Sequence, residues 1–229
     1  MSIPFYVSPE QMVHDKAEYA RQGIAKGRSI VVLEYADGII FTAENPYSSL
    51  NKLSEIYDRI AFAGVGRYSE FENLRKAGIR YADLKGYSLS REDVTTKPLA
   101  SAYSETIGNI FTREIKPLEV EILVAEVGET ADRNTIYKIQ FDGTITDHRD
   151  YVVIGGHADR SSQFLKEKYR KTLSLKEALL LSEQALRSLN EEDSAKPLNL
   201  EVAILDRNRV GRKFRRLDSN EIASLLGHV

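Results

Sequence analysis

Four histidines, His14, His148, His157 and His228, are the residues here best suited to metal ligation or proton transfer, and no two lie within four positions of each other. Zinc-type ligands usually come at short fixed spacings. The pattern therefore gives no metal site, and ordinary surface or interface histidines are expected. Cysteine is absent, which removes disulfides, thiolate ligands and a thiol nucleophile. Two glycine clusters have the chemistry to cradle a phosphate: Gly64-Val65-Gly66 and Gly155-Gly156 each follow an apolar run and precede a helical pattern. Neither completes GxGxxG or a P-loop, since the next glycine after Gly66 is Gly78. They are expected to be tight strand-to-helix turns, where glycine accepts backbone angles that other residues resist. No cofactor is expected. The run Arg207, Arg209, Arg212, Lys213, Arg215 and Arg216 is densely basic, but only Phe214 is interleaved with it. Single-stranded nucleic acids ask for more aromatic platforms than that, so a solvated or subunit-contacting hairpin is expected.

The elements that must carry these groups follow from the pattern. Ser8-Pro9-Glu10 is a helix start, with Ser at the N-cap, Pro in the first turn and an acid beside it. Met12, Val13, Ala17, Ala20 and Ile24 form one apolar stripe, so a helix is expected over 9–26 with Gly27 as its stop. Ser29 to Tyr35 and Ile39 to Ala43 flank Ala36-Asp37-Gly38 and read as a β-hairpin. Both runs are mostly apolar, so both of their faces should be covered. A third strand is expected at Arg59 to Ala63, ending in Gly64-Val65-Gly66. Tyr68 to Ala77 opens a helix that can continue to Tyr87. Ser90-Arg91-Glu92-Asp93 looks like a capped start for another reaching Ile115, with Pro98 able to delay its regular part. Strands are expected at Val120 to Val127, Thr135 to Phe141 and Ile145 to Gly155, with Asp142-Gly143 as a second hairpin turn. Helices follow at His157 to Tyr169 and Ser174 to Asn190, the latter opened by the capping-box pattern Ser174-Leu175-Lys176-Glu177. Strands at Leu200 to Asp206 and Lys213 to Leu217 and a short helix from Asp218 close the chain.

Hairpin-joined strands separated by paired helices do not form a doubly wound parallel sheet. The expected fold is α+β: a four-layer α-β-β-α sandwich with two antiparallel sheets and an extra N-terminal helix. Residues 9–229 read as a single domain preceded by a tail at 1–8, and 229 residues suffice for a substantial core. The formal net charge of −2 gives no global pull toward nucleic acid or an anionic membrane. No apolar run approaches the roughly 18 residues of a spanning helix, and MSIPFYVSPEQ lacks the form of a signal peptide. A cytoplasmic location is expected.

The same architecture serves hydrolases whose first residue supplies the nucleophile and whose free amine is the base. No Thr follows Met1, and Ser2 is followed by Ile3-Pro4 and a helix, whereas the strand that should carry the nucleophile begins near Ser29. Processing at Gly143-Thr144 would discard most of the fold. The helix over 9–26 occupies the side where a catalytic chain would free its terminus. A chain without its own active site is expected, with an N-terminal-nucleophile hydrolase as the alternative.

One long stretch carries a specific likeness. Asn45 to Ala77, with Gly27 to Leu33 before it and Pro117 to Val127 after it, closely resembles the α-type subunits of actinobacterial 20S proteasomes, as does the helix pair within Ala158 to Ala185. The resemblance covers nearly the whole chain. Ser8-Pro9-Glu10 and Glu18-Tyr19-Ala20 are similar to the family's N-terminal signature, with Gln11 in place of the usual Gly, Ala17 in place of Val and one extra residue of spacing. The archaeal and eukaryotic Tyr-Asp-Arg gate motif is absent upstream.

The resemblance implies heptameric α rings capping β rings whose threonines do the hydrolysis, with unfolded proteins as substrates. It implies that N-terminal tails fill the pore and that the helix over 9–26 packs between ring neighbours. It further implies that an ATP-dependent unfoldase ring, or another activator, inserts C-terminal tails between α subunits. The matching pocket positions are Lys52, Gly27, Gly66 and Arg67, with the lysine facing the tail's carboxylate. Ile3, Pro4, Phe5, Tyr6 and Val7 become the gate: apolar residues outside any helix, which seven converging copies could bury against one another.

Overall fold

A computed structural model describes residues 8–47, 49–156, 158–188 and 198–227. The chain opens with α1 (Pro9–Ala25), where Ser8 accepts a hydrogen bond from the Gln11 amide at 3.2 Å. Strands β1 (Ile30–Tyr35), β2 (Gly38–Glu44), β3 (Leu53–Tyr57) and β4 (Ile60–Gly66) follow, then α2 (Tyr68–Ser88), a 3-10 turn at Arg91–Asp93 and α3 (Thr96–Arg113). Next come β5 (Val120–Glu126), β6 (Thr135–Ile139), β7 (Ile145–His148) and β8 (Tyr151–Ile154). The chain continues through α4 (Ala158–Lys168), α5 (Leu175–Arg187), β9 (Leu200–Asp206), β10 (Phe214–Arg216) and α6 (Ser219–Leu226).

The strands form two five-stranded antiparallel sheets, ordered β10-β9-β2-β1-β8 and β3-β4-β5-β6-β7. Alternate residues of each strand face opposite sides, and the burial follows that period. Ile30 and Val32 of β1 face Leu53, Ala61 and Ala63 in the core between the sheets, while Val31, Leu33 and Tyr35 face a second core under α4, α5 and α6. A third core joins β4 and β5 to α2 and α3 around Phe62, Phe71 and Tyr103. Three apolar seams between four layers give the α-β-β-α sandwich. Each large side chain fully buried there, such as Phe41 and Phe62, contributes about 2–3 kcal/mol. The expected capping box is present: the Ser174 hydroxyl accepts from the Glu177 amide, and the Glu177 carboxylate accepts from the Ser174 amide at 2.8 Å.

Three expectations need correction. The strand expected over Arg59 to Ala63 is the second of two in this region, because β3 precedes it and pairs with it. Leu53-Ser54-Glu55-Ile56-Tyr57 buries only Leu53 and Ile56 and carries a bulge at an exposed sheet edge, so it lacks strict alternation. The single strand expected at Ile145 to Gly155 is two strands in different sheets: β7 pairs with β6, and β8 pairs with β1. The chain turns the corner at Arg149 and Asp150, where Asp150 takes φ 71°. The Arg149 guanidinium donates to the carbonyls of Asp132 at 3.0 Å and Asn134 at 2.5 Å, and the Asp150 amide donates to Glu34 at 3.0 Å. Likewise Ser90 opens only the 3-10 turn, and α3 begins at Thr96 with Pro98 in its first turn, where proline is tolerated.

The corner is closed by a buried polar group. Asn134 is fully buried, donates to Glu34 Oε2 at 2.7 Å, and accepts from the Gly128 amide at 3.1 Å and Arg207 at 3.2 Å. Asn134→Ala takes one of two donors from the buried Glu34 carboxylate and leaves the half-buried Gly128 amide without its acceptor. It should lower stability by about 2–3 kcal/mol, read as a shift of the chemical unfolding midpoint; a change under about 0.5 kcal/mol would mean that water replaces the amide.

Candidate functional site

Lys52 directly precedes β3, at the rim where β1 begins and β2 ends. Its ammonium donates to the carbonyls of Arg28 at 2.8 Å and Glu44 at 3.0 Å. An ammonium has three donors, so one remains for a further acceptor. The backbone is held as firmly: the amides of Lys52 and Leu53 donate to the two oxygens of Glu201 at 2.9 and 3.1 Å. Arg216 pairs with the same carboxylate. Burial pushes the Lys52 ammonium down to about 8, with Glu201 and Glu44 opposing the shift and Arg28 adding to it.

Gly27 and Gly66 bring the end of α1 against the end of β4. A Cβ on Gly27 would lie 2.6 Å from Val65 Cγ1 and 3.0 Å from the Gly66 nitrogen. Gly66 has φ +108°, and a Cβ there would lie 1.9 Å from the Glu119 carbonyl oxygen. Its glycine is required on both counts. Arg67 then starts α2, with its amide donating to the Glu119 carbonyl at 2.9 Å and its guanidinium about half exposed. The structure thus brings Lys52, Gly27, Gly66 and Arg67 to one rim, linked through Arg28 and the β3–β4 pairing, where the Gly64 amide donates to the Lys52 carbonyl at 3.1 Å.

Helix α1 lies across this rim and is pinned by polar contacts more than by burial. Only Ala20 and Ile24 of α1 are buried. Lys16 donates to the carbonyls of Phe111 at 3.2 Å and Glu114 at 2.7 Å, which places a cation at the C-terminal end of α3. Tyr19 donates to Glu119 at 3.3 Å, and the Arg21 guanidinium sits 5.4 Å from the Phe141 ring centre. Burial pushes the Glu119 carboxyl up, but Lys116, Arg67 and Tyr19 outweigh it and hold the group below its ordinary value.

Ser29 stands immediately before β1, where a nucleophile of the alternative reading would stand. Its nitrogen is in a peptide bond, α1 precedes it, and its buried hydroxyl donates to the Gly156 carbonyl at 2.5 Å. Arg209, Arg212 and Arg216 of the basic segment are exposed, as the solvated alternative had it, and its charges also find partners within the chain. Arg212 pairs with Glu55, Arg215 with Glu221 at 2.5 Å, and Arg216 with Glu201. Arg207 donates to the carbonyls of Gly128 at 3.0 Å and Ala36 at 2.8 Å. Arg212, and Arg216 through a further bond to the Leu53 carbonyl at 2.6 Å, tie the β10 edge of one sheet to the β3 edge of the other. Among the described residues, no three His, Asp or Glu side chains gather into a metal-sized group. His14 is exposed, and His148 is half-buried, with burial lowering its pKa. The expected gate residues Ile3, Pro4, Phe5, Tyr6 and Val7 lie outside the described residues, as do His157 and His228.

The sequence reading missed Glu201, Glu44 and Glu119 as parts of the site. Glu201 and Glu119 act across long sequence separations, and Glu44 accepts from Lys52 through its backbone carbonyl, so no side-chain pattern announces them.

Two covered sheets, with a helix joined to the head of the opening strand and a lysine beside that junction, define a proteasome-type subunit. The proteasome subunit family model matches residues 24–205. A proteasome subunit alpha from Thermobifida fusca is 53% identical over 227 residues, covering 99% of this chain and 91% of its own length. Those from Kineococcus radiotolerans and Frankia alni are 53% and 54% identical, covering 99% and 100% of this chain and 98% of their own lengths. The chain belongs to the proteasome subunit family.

Gly66→Ala tests the packing of this rim. It meets both strain and a backbone clash, and should cost on the order of 3 kcal/mol or more. Gly211 also has positive φ (+74°) but open space around it, so Gly211→Ala should cost only about 1 kcal/mol. Thermal unfolding of the two variants checks the contrast; equal losses would remove the close approach at Glu119 as a constraint.

Proposed function

We propose that the chain is a non-catalytic α subunit of a 20S proteasome core: it forms the outer rings, gates substrate access and docks activators. Hydrolysis of unfolded polypeptides then falls to the threonines of partner β subunits, in the cytoplasm. The observation that carries this reading is the junction of α1 and β1. The head of the strand that would bear a free nucleophile is covalently continued into a helix that lies across the rim and is bonded there through Lys16 and Tyr19. Similarity to relatives named proteasome subunit alpha supports the same side of the family.

A ring supplies what the single chain lacks. Met12 and Val13 on α1 are about half exposed, and Ile115, which lines the same surface hollow as Met12, is 93% exposed. Apolar side chains left in water along one helix are a contact surface in waiting, which fits a neighbouring α subunit. Docking follows from Lys52, whose remaining donor and buried charge suit the carboxylate at the end of an activator's tail. The tail at 1–8 is read as the gate.

Purified chain should hydrolyse short fluorogenic peptides only after its β partner is added; activity from the chain alone, abolished by Ser2→Ala, would establish the N-terminal-nucleophile alternative. Deleting residues 2–7 should raise peptide turnover by the assembled particle, and unchanged turnover would remove the tail from the gate. Lys52→Ala should weaken activator docking about 10–100-fold while sparing assembly, since it removes a charge-assisted bond of about 1.5–3 kcal/mol. The pH gives an independent check. Lys52 is charged below about 8 and neutral above it, so docking affinity should fall as pH rises through that value. Lys52→Arg keeps its charge and should flatten the profile; a flat wild-type profile would argue against a carboxylate at Lys52.

A further inference from the structure

An apolar hollow opens between α1 and the end of α3, and Met12 in its wall donates its amide to the Ser8 carbonyl at 3.0 Å. Residues 3–7 join the helix at that same serine. We propose that they have a second berth: in the unassembled chain they lie extended in this hollow, and a neighbouring subunit displaces them, so that the tail is freed only as a ring closes. The berth is argued from this chain's own residues. The displacement rests on reading the chain as a ring-forming α subunit with a tail that gates.

The hollow has a volume of about 830 Å³, with Met12, Lys16 and Tyr19 of α1 on one side and Thr112, Ile115 and Pro117 on the other. Met12, Tyr19 and Ile115 are all exposed there. The Lys16 ammonium is held by the carbonyls of Phe111 and Glu114. The carbonyls of Thr112 and Arg113, in the last turn of α3, accept no hydrogen bond among the described residues. Helix ends leave such carbonyls for an outside donor. An apolar wall beside free backbone acceptors suits an extended peptide segment, which brings both side chains and amides.

The tail has the matching pattern. Ile3, Phe5 and Val7 are apolar at every second position. Alternate side chains of an extended segment share one side, so all three can enter one groove. Pro4 lacks an amide hydrogen and favours extended backbone at Ile3. The helix start sets the direction. Ser8 is the N-cap, which puts Val7 at N′ and Met12 at N4, the two positions of a hydrophobic staple. A staple there starts the tail on the Met12 flank. The opposite flank is less apolar, since Glu10, His14 and Arg21 stand beside Val13 and Ala17. Residues 3–7 fully extended reach about 17 Å, and the helix from Ser8 to Tyr19 advances about 16 Å. Phe5 and Ile3 can therefore cover Ile115 and Tyr19. A neighbouring subunit seated on Met12 and Ile115 needs the same apolar area, so the two occupants exclude each other.

The sequence has no cysteine, so a pair of introduced cysteines reports proximity through one disulfide. Phe5→Cys is combined with Thr112→Cys at the hollow, or with His14→Cys on the opposite flank; both partner positions are exposed. The full chain is diluted from denaturant to below its ring-forming concentration in a glutathione redox buffer. The Phe5–Thr112 disulfide should close within one chain about tenfold faster than the Phe5–His14 one, and about tenfold faster than in assembled rings. If the tail covers the hollow about nine-tenths of the time, deleting residues 2–7 should lower the concentration of half-maximal ring assembly about tenfold. Phe5→Asp should act in the same direction. Equal closure with Thr112 and His14 overturns the berth, as does a disulfide formed only between chains, which would give the hollow to another copy's tail. Equal closure in rings, or assembly indifferent to the deletion, overturns the displacement. A chain that closes the Phe5–Thr112 disulfide yet forms no ring, alone or with its β partner, would sink the α-subunit reading and leave the berth standing.

Discussion

Both faces of β1 and β2 are apolar, and water has to be kept from each. Ile30, Val32, Ile39 and Phe41 need cover on one side, and Val31, Leu33 and Ile40 on the other. A single covered sheet cannot supply both. The second sheet closes one face and helices α4, α5 and α6 close the other, and the second sheet then needs α2 and α3 for its own outer face. Four layers follow from that requirement. So does the location of function: with both faces covered, exposed chemistry is confined to the rims where strands begin and end.

At the rims the structure relies on carboxylates that reach across the chain. Glu126 at the end of β5 accepts from the Thr96 amide at 2.7 Å, so a strand residue caps α3, which has no capping side chain of its own. Glu201 gathers the amides of Lys52 and Leu53 with Asn45 and Arg216. Glu34 takes Asn134 and Asp150 at the sheet-switching corner. Each of these groups is largely withdrawn from water, where an unpaired carboxylate is costly. Each is tolerated because several donors meet it. The basic segment of residues 207–216 belongs to the same scheme: Arg212 meets Glu55 on β3, Arg216 meets Glu201 on β9 and Arg215 meets Glu221 on α6, while Arg207 and Arg209 donate to carbonyls.

Much of this was legible in the residues. The apolar stripe and Ser8-Pro9 start of α1, the hairpin at Ala36-Asp37-Gly38 and the Ser174 capping box are local patterns with local causes, and each appears where expected. Lys52, Gly27, Gly66 and Arg67 were singled out by family likeness, and all four stand at strand or helix ends along one rim. What escaped had no local cause. β3 is an edge strand with only Leu53 and Ile56 fully buried, so its period is weak. The break at Arg149-Asp150 depends on Asn134 and Glu34, which lie far away in sequence. Glu119 reads as one acid in an ordinary strand approach, yet it touches Tyr19 from a hundred residues away.

The sequence alone determined most element types and the need for two covered sheets, because periodicity and capping are written residue by residue. Tertiary structure decided which sheet each strand joins, which acid caps which helix and that α1 rests on Glu119. Those outcomes depend on distances between groups far apart in the chain, and only packing fixes such distances.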